Sequence, residues 1–374
     1  MGQYFSMELS PTLGTAGAGL VLLYLLRYPL IIEPLRSLVQ KNPRPPYKKI
    51  YQTAPSIDAK VQVKTKQGLV EGYCTANDPN LARFRGIPFA SIPSRFANPE
   101  RLKPWSGVKD CTRYGPASFQ SPEGIRIIFE GLWTMIIDSL FGLTKSEKSL
   151  LEDEKYNALC VGKMDEFECL NLNIWAPRQA IENSNRQKEL KPVMYWIHGG
   201  AFATGSNIEM GMYDGTSLCK DRDVVVVTCN YRLNAFGFLH FPEEGVTNVG
   251  LRDQICGLQW VQENVQKFGG DPNNVTIFGE SAGSMSCSLL LASPLTNGLF
   301  HRVISQSGGA MGNACATEKE YEVKAKCMAK ALFQKDEMPN FNVVKNCKLN
   351  QSSLLKRTLY NYNSSNTQNQ KLHM

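Results

Sequence analysis

The sequence VTIFGESAGS at residues 275–284 decides the fold of this chain. Its first four residues are β-branched or aromatic, which favours a buried strand, and the residues after the motif can continue as a helix. The glycines of GESAG, residues 279–283, suit a sharp strand-to-helix turn because a side chain there would collide with neighbouring backbone. Such a turn exposes the hydroxyl of its central serine and directs the next backbone N–H toward developing negative charge. Ser281 is therefore a candidate nucleophile, and Ala282 a candidate oxyanion donor.

A second glycine motif, His198-Gly199-Gly200, follows the apolar run of residues 193–197. Two adjacent glycines let the backbone approach a substrate oxygen closely, and a turn of this kind supplies further N–H donors to an oxyanion hole. Each donor in such a hole contributes about 3 kcal/mol of transition-state stabilisation. Gly199 and Gly200 therefore join Ala282 in the predicted oxyanion hole.

Around these motifs, short apolar runs alternate with longer helical patterns. Apolar residues recur at helical spacing from Leu251 to Val265. Strands that alternate with helices predict a mainly parallel sheet. Residues 61–63 and 69–73, separated by a Gln-Gly pair, predict an N-terminal antiparallel hairpin. We therefore expect an α/β fold, with strands near residues 170–175, 193–197, 224–229, 275–278 and 303–305.

From Leu81 to about Gly309, further motifs occur in a fixed order. They are FRGIPFA (84–90), ECLNLN (168–173), NYR (230–232), FGFL (236–239), GLRDQ (250–254), FGGDP (268–272) and SQSG (305–308). With the serine and HGG turns, they make the chain resemble the type-B carboxylesterase family, which includes the cholinesterases. The resemblance implies an α/β-hydrolase fold.

The resemblance also implies a reaction, the two-step hydrolysis of a small-molecule carboxylic ester. Ser281 would attack the carbonyl, the oxyanion would bind to Gly199, Gly200 and Ala282, and water would later release the acid. This chemistry uses no cofactor and no metal. Phe202 and the apolar, lid-like residues 127–143 are candidates to line an acyl or alcohol pocket.

In the family, a histidine activates the serine and an acid orients the histidine, and both follow the serine by well over a hundred residues. Here the sequence ends 93 residues after Ser281. We expect the domain to be incomplete at its C-terminus, with both partners missing, and none of His198, His240, His301 and His373 to act as the base. The alternative is a non-catalytic, cholinesterase-like binding or adhesion module, and the intact serine and glycines favour the hydrolase. A third hypothesis is a fragment that aggregates because its sheet edge is unpaired.

One departure from the family pattern concerns an ion pair. The family has a glutamate that pairs with the arginine of the motif at residues 84–90, whereas this chain has Phe167 at that position. Glu166 and Glu168 are the candidate replacements for pairing with Arg85.

Another departure concerns disulfides. The family's partner for Cys169 is replaced near Ser118, which leaves Cys111 or Cys160 as its candidate partner. The chain has eleven cysteines, an odd number that cannot all pair internally. The cysteines therefore do not decide between an oxidising and a reducing cellular compartment. A second candidate pair is Cys315 with Cys327.

The N-terminal region differs in composition from the rest. Residues 9–26 carry no charge, which is at the lower limit for spanning a bilayer. Residues 27–66 hold nine Lys and Arg against two acidic residues, a local charge of +7 that equals the net charge of the whole chain. The rest is neutral, which argues against a nucleic-acid-binding surface.

Three interpretations of this N-terminus stay open: a cleaved signal peptide, an uncleaved membrane helix, and a myristoyl anchor at Gly2 with a polybasic window. We favour membrane association through an anchor. Family resemblance implies the secretory or lumenal side, whereas the basic flank favours the cytoplasmic side. The expected organisation is an anchor and Pro-rich linker at 1–50, a partial esterase domain at 57–359 and a disordered polar tail at 360–374.

Overall fold

The computed structural model describes residues 56–120, 163–186, 189–309, 320, 321, 326 and 339–346. All of them belong to the compact unit Ile50–Met374. The predicted anchor and linker, the lid-like residues 127–143 and the tail at 360–374 lie outside the described residues. Within the described ranges, no helix combines the length and apolar character needed to cross a bilayer.

The described chain begins with an antiparallel meander. β1 pairs with β2 so that Ala59 lies opposite Cys74 and Lys64 opposite Leu69, which confirms the predicted hairpin. Thr65 closes its turn, because the backbone N–H and the hydroxyl of Thr65 both donate to the Gly68 carbonyl. The first six strands are β1 (Ala59–Lys64), β2 (Leu69–Thr75), β3 (Asp78–Pro88), β4 (Ala90–Ser91), β5 (Glu100–Arg101) and β6 (Val108–Asp110).

The later strands build the central sheet. They are β7 (Asn171–Pro177), β8 (Lys191–Ile197), β9 (Val225–Cys229), β10 (Gly270–Glu280) and β11 (Arg302–Gln306). The order is β1-β2-β3-β7-β9-β8-β10-β11, with β6 beside β2, and β4 pairs with β5 separately. Strands β9, β8, β10 and β11 are mutually parallel, whereas β7 is antiparallel to both of its neighbours. The predicted α/β fold with a parallel centre and antiparallel N-terminal strands is confirmed.

Some of the described helices pack against the parallel strands. The described ones are α1 (Arg178–Glu182), α2 (Thr216–Arg222), α3 (Asn234–Phe238), α4 (Val249–Asn264), α5 (Ala282–Ala292) and α6 (Phe341–Lys345). Helix α4 matches the predicted periodic segment, and its buried residues include Leu258, Trp260 and Val261. Strand β9 is buried at all five positions, as expected for an inner strand with a packed layer on each face.

A buried ion pair joins two of the family motifs. Arg232 and Asp253 are almost fully buried, and their charged atoms approach to 2.7 Å. Asp253 Oδ2 also accepts hydrogen bonds from Nε and the backbone N–H of Arg232. The third arm of the guanidinium donates to the Ala97 carbonyl. Because every arm is engaged, the pair ties α4 and the segment after β9 to the N-terminal loops.

The predicted pairing of Arg85 is wrong. Glu166 instead makes a two-pronged ion pair with Arg95, at 2.7 and 2.9 Å. Arg85 instead lies over the ring of Tyr114, with its guanidinium carbon 4.2 Å from the ring centroid. A cation stacked on an aromatic face gains electrostatic stabilisation without a carboxylate partner.

The predicted disulfide between Cys111 and Cys169 is not formed, because both are free, buried thiols. The Cys169 thiol donates to the Glu166 carbonyl at 3.6 Å. Burial raises the pKa of both thiols to about 12, so they are inert as nucleophiles near neutral pH. The alternative partner Cys160, and the second pair Cys315 and Cys327, lie outside the described residues.

Candidate active site

Ser281 lies on the turn between β10, which ends at Glu280, and α5, which begins at Ala282. Its φ of 55° and ψ of −122° belong to a region that residues with a side chain seldom adopt. Two hydrogen bonds hold this conformation: Ser281 N–H donates to the Gln306 carbonyl, and Met285 N–H donates to the Ser281 carbonyl, both at 2.9 Å. The serine is only half-buried, so a ligand can reach its hydroxyl.

The two glycines of the serine turn are required by close backbone packing. A Cβ atom on Gly279 would lie 2.7 Å from the Ile197 carbonyl oxygen at the end of β8. A Cβ atom on Gly283 would collide with the same oxygen. The turn therefore sits directly against the end of the neighbouring parallel strand.

The HGG turn continues from that strand end and touches the serine. A Cβ atom on Gly199 would lie 3.3 Å from Cβ of Ser281 and 2.7 Å from the Glu280 carbonyl oxygen. Gly200 has a φ of 103°, which favours glycine. The structure thus brings Gly199, Ser281 and Ala282 together, with Gly200 next along the turn.

Within the described part of the chain, the N–H groups of the three predicted donors have no hydrogen-bond partner. Among the described residues, neither Gly199, Gly200 nor Ala282 donates a backbone hydrogen bond. Gly199 and Ala282 are buried, and an unpaired buried N–H is costly and uncommon in native proteins. Free donors beside a serine hydroxyl can bind an oxygen that becomes negatively charged.

His198 supports the HGG turn. Its Nδ1 lies 2.9 Å from the Gly199 carbonyl oxygen, and its ring stacks on Tyr231 with centroids 4.4 Å apart. Tyr231 Oη donates to the His198 carbonyl at 2.8 Å. Burial lowers the pKa of His198 to about 4, so the imidazole is neutral near pH 7.

Comparisons with known proteins identify the family of the chain. The model of the carboxylesterase family matches residues 59–371. The chain belongs to the carboxylesterase family. The chain is 38% identical to the para-nitrobenzyl esterase of Bacillus subtilis over 254 residues, which are 66% of this chain and 44% of that one. It is 40% identical to carboxylesterase 1D of Mus musculus over 63% of this chain and 37% of that one.

Solved esterase structures share the fold. A thermophilic PNB esterase superposes with a TM-score of 0.63 at 32% identity, covering 82% of this chain and 55% of that chain. A carboxylesterase of Geobacillus stearothermophilus gives 0.60 at 32% identity, covering 80% and 53%. This carboxylesterase-family chain therefore spans less than half the length of the curated relatives it matches. The predicted family and α/β-hydrolase fold are confirmed.

An acidic side chain, Glu280, lies beside the HGG turn of this esterase-family chain, and a second, Glu209, interacts with it. A carboxylate oxygen of Glu280 would lie 3.1 Å from a Cβ atom on Gly199. Burial raises the pKa of Glu209 to about 7, and the nearby Glu280 carboxylate contributes to the increase. Tyr213 hydrogen-bonds to Glu209 and packs on Trp196, with ring centroids 4.9 Å apart.

Sequence reasoning missed these two residues. Glu280 stands inside the GESAG motif and directly precedes Ser281, so its position was the one available signal. Glu209 lies in a 3₁₀ turn, Glu209–Gly211, with no periodic pattern to single it out.

The other described histidines lie elsewhere. His301 precedes β11, and its Nδ1 accepts a hydrogen bond from Val275 N–H at 3.2 Å. Val275 is at the middle of β10 and six residues before Ser281, which places His301 roughly 20 Å along the strand from the serine turn. His240 packs on Tyr321 with ring centroids 4.8 Å apart. His373 lies outside the described residues.

Phe202, a predicted pocket residue, lies two residues after Gly200. Its φ is 58°, and its ring packs edge-on against Phe238 with centroids 5.0 Å apart. Its role in binding an acyl or alcohol group stays a prediction, since the lid-like residues 127–143 lie outside the described residues.

Proposed function

We propose that Ser281 is the nucleophile of a carboxylic-ester hydrolase. Its Oγ attacks the ester carbonyl carbon, and the carbonyl oxygen takes up negative charge. The bond to the alcohol then breaks, the alcohol leaves with a proton, and an acyl-serine forms. Water attacks that acyl group, and the acid departs as the serine regains its proton. The substrate is a small-molecule ester, the class on which the named esterase relatives act.

One observation carries the proposal: free, buried N–H donors lie against a half-buried serine on a strained turn. Gly199, Gly200 and Ala282 stabilise the oxyanion in this scheme. In a site with little water, each donor contributes about 3 kcal/mol to the transition state.

We further propose that no described histidine is the general base. His198 has Nδ1 against a carbonyl oxygen and is stacked on Tyr231, and His301 is engaged at Val275. The base and its orienting acid then belong to the part of the domain that longer relatives have and this chain does not match. A serine with an oxyanion hole and no base retains roughly 10³ to 10⁴-fold acceleration over water.

Labelling with a fluorophosphonate probe tests the assignment, because the probe reacts with activated serines. We expect slow labelling of this chain at Ser281, strong labelling once the domain is completed, and none for Ser281→Ala. Ser288→Ala is the matched control, since Ser288 is a half-buried serine on α5, where Ser281 is the N-cap. Absence of labelling in the completed protein would support a non-catalytic binding module.

We also propose that the N-terminal segment associates with membranes. The support is the uncharged run at residues 9–26, followed by the nine basic residues of 27–66. Fractionation of cells that express the chain with and without residues 1–50 tests this proposal. We expect membrane recovery to depend on those residues, and equal recovery of both forms in the soluble fraction would contradict it.

A further inference from the structure

A single Asn-Gly pair occurs in this sequence, Asn297-Gly298, in the loop between α5 and β11. Asparagine is one of the thermolabile residues of proteins. Its carboxamide is lost fastest when glycine follows, because no side chain then shields the backbone nitrogen that attacks it. The conformation of the loop decides whether the folded chain protects this pair.

The pair occupies the centre of a β-turn. The Leu299 N–H donates to the Thr296 carbonyl at 3.0 Å and closes the turn. Asn297 has a φ of −53° and a ψ of 123°, and Gly298 has a φ of 79°, which match the central residues of a type II turn. A positive φ at the second central position favours glycine. The turn therefore requires the residue that leaves the Asn297 carboxamide least shielded.

The peptide unit that joins the two residues is unrestrained. Among the described residues, neither the Asn297 carbonyl nor the Gly298 N–H makes a hydrogen bond, and the Asn297 carboxamide has no partner. Both residues are exposed. A Cβ atom on Gly298 would meet no other atom within 4 Å. Because neither a hydrogen bond nor packing opposes it, this peptide unit can rotate in the folded protein.

A comparable pair, Asp214-Gly215, is held firmly by its surroundings. An oxygen of the Asp214 carboxylate accepts a hydrogen bond from the Thr216 N–H at 2.9 Å. The Gly215 carbonyl accepts one from the Cys219 N–H at 2.9 Å, at the start of α2. A Cβ atom on Gly215 would lie 2.9 Å from the ring of Trp175. The fold thus restrains this pair and leaves Asn297-Gly298 open.

We propose that Asn297 is a site of spontaneous deamidation in the folded protein, with aspartate and isoaspartate as products. The Gly298 nitrogen forms a bond to the carboxamide carbon of Asn297. The bond from that carbon to Nδ2 breaks, and ammonia leaves with the proton of the Gly298 N–H. One water then opens the succinimide ring. Opening at the side-chain carbonyl gives aspartate, whereas opening at the backbone carbonyl gives isoaspartate.

The two products differ in their effect on the loop. Isoaspartate adds one carbon to the main chain inside the turn, and aspartate does not. The residues that flank the pair are tied to the core: the Thr296 hydroxyl donates to the Leu290 carbonyl at 2.6 Å, and Gln262 Nε2 donates to the Leu299 carbonyl at 2.9 Å. We therefore expect isoaspartate to strain the connection from α5 to β11 and to lower the stability of the protein.

Incubation of the purified 374-residue chain at physiological temperature and pH, followed by digestion and mass spectrometry, tests the site. We expect Asn297 to lose its amide and both products to appear, at nearly the rate of the same chain unfolded in urea. Asn80 is the internal control, since it is also exposed but precedes Leu81, and we expect it to keep its amide. An Asn297 amide that survives in the folded chain after the unfolded chain has lost it would overturn the proposal.

Two substitutions test the chemistry. Gly298→Ala adds a side chain beside the attacking nitrogen, and we expect the amide to be lost about tenfold more slowly or less. Asn297→Gln retains both the glycine and a carboxamide, but its ring would need six atoms, so we expect it to keep its amide. Loss at the wild-type rate in both variants would refute attack by the Gly298 nitrogen.

Urea unfolding separates the effects of the two products. Asn297→Asp supplies the aspartate product alone, and we expect it to unfold at the urea concentration of fresh wild type. Aged wild type that is rich in isoaspartate should unfold at a lower urea concentration. Equal midpoints for aged and fresh protein would refute the proposed strain. None of these measurements depends on ester hydrolysis.

Discussion

Glu209 makes the stability of the protein depend on pH, and Glu209→Gln removes that dependence. Burial raises the pKa of this carboxyl from 4.5 to about 7 in the folded state. The folded protein therefore holds the proton more tightly than the unfolded chain does. The stabilisation is fully present below about pH 4.5 and is lost as the pH rises toward 7.

The size of the effect follows from the two pKa values. The difference between 4.5 and about 7 corresponds to about 3 kcal/mol of unfolding free energy. The amide side chain of the Glu209→Gln variant mimics the protonated carboxyl at every pH. We expect Glu209→Gln and wild type to be equally stable near pH 4.5, and the variant to be more stable at about pH 8 by up to about 3 kcal/mol.

Urea unfolding of dilute protein at about pH 4.5 and about pH 8, followed by tryptophan fluorescence, measures this difference. Trp196 is a suitable reporter because it packs on Tyr213, which hydrogen-bonds to Glu209. Glu244→Gln is the control, since Glu244 is exposed in a 3₁₀ turn. An unchanged pH dependence in Glu209→Gln would refute the assignment of a raised pKa to the Glu209 carboxyl in the folded state.

Two further substitutions test the supports of the site. Arg232→Met leaves Asp253 buried without its partner, and we expect a loss of about 3 to 5 kcal/mol of unfolding free energy in the same urea assay. A loss below about 1 kcal/mol would show that the pair is not buried as described. Gly199→Ala pushes a methyl group against the Glu280 carbonyl and Cβ of Ser281, so we expect fluorophosphonate labelling of the completed protein to slow about 100-fold or more. Labelling at the wild-type rate would show that Gly199 does not contribute to the oxyanion hole.

Local backbone requirements were readable from the sequence. Gly279 and Gly283 are needed because the Ile197 carbonyl oxygen approaches them closely. The spacing of the two glycines in the GESAG motif predicted this close packing. Helix α4 followed from apolar spacing. The direction of β7 was not readable, because an apolar run looks the same in a parallel and an antiparallel strand.

Side-chain partners across long separations were beyond sequence reasoning. Glu166 and Arg95 are 71 residues apart, and their pairing depends on how two loops meet in space. The same holds for Cys111 and Cys169, whose spacing in the chain says nothing about the geometry that a disulfide needs. Glu209 joins the site only because its 3₁₀ turn brings it near Glu280.

The most direct test of Ser281 as the nucleophile is mass spectrometry of the acyl-enzyme. The completed protein is mixed with p-nitrophenyl acetate, quenched in acid within the first turnovers and digested. The account predicts one acetyl group on the peptide that contains Ser281, and none in Ser281→Ala. Steady ester hydrolysis with no acetyl group on Ser281, or with the group on another residue, would contradict it.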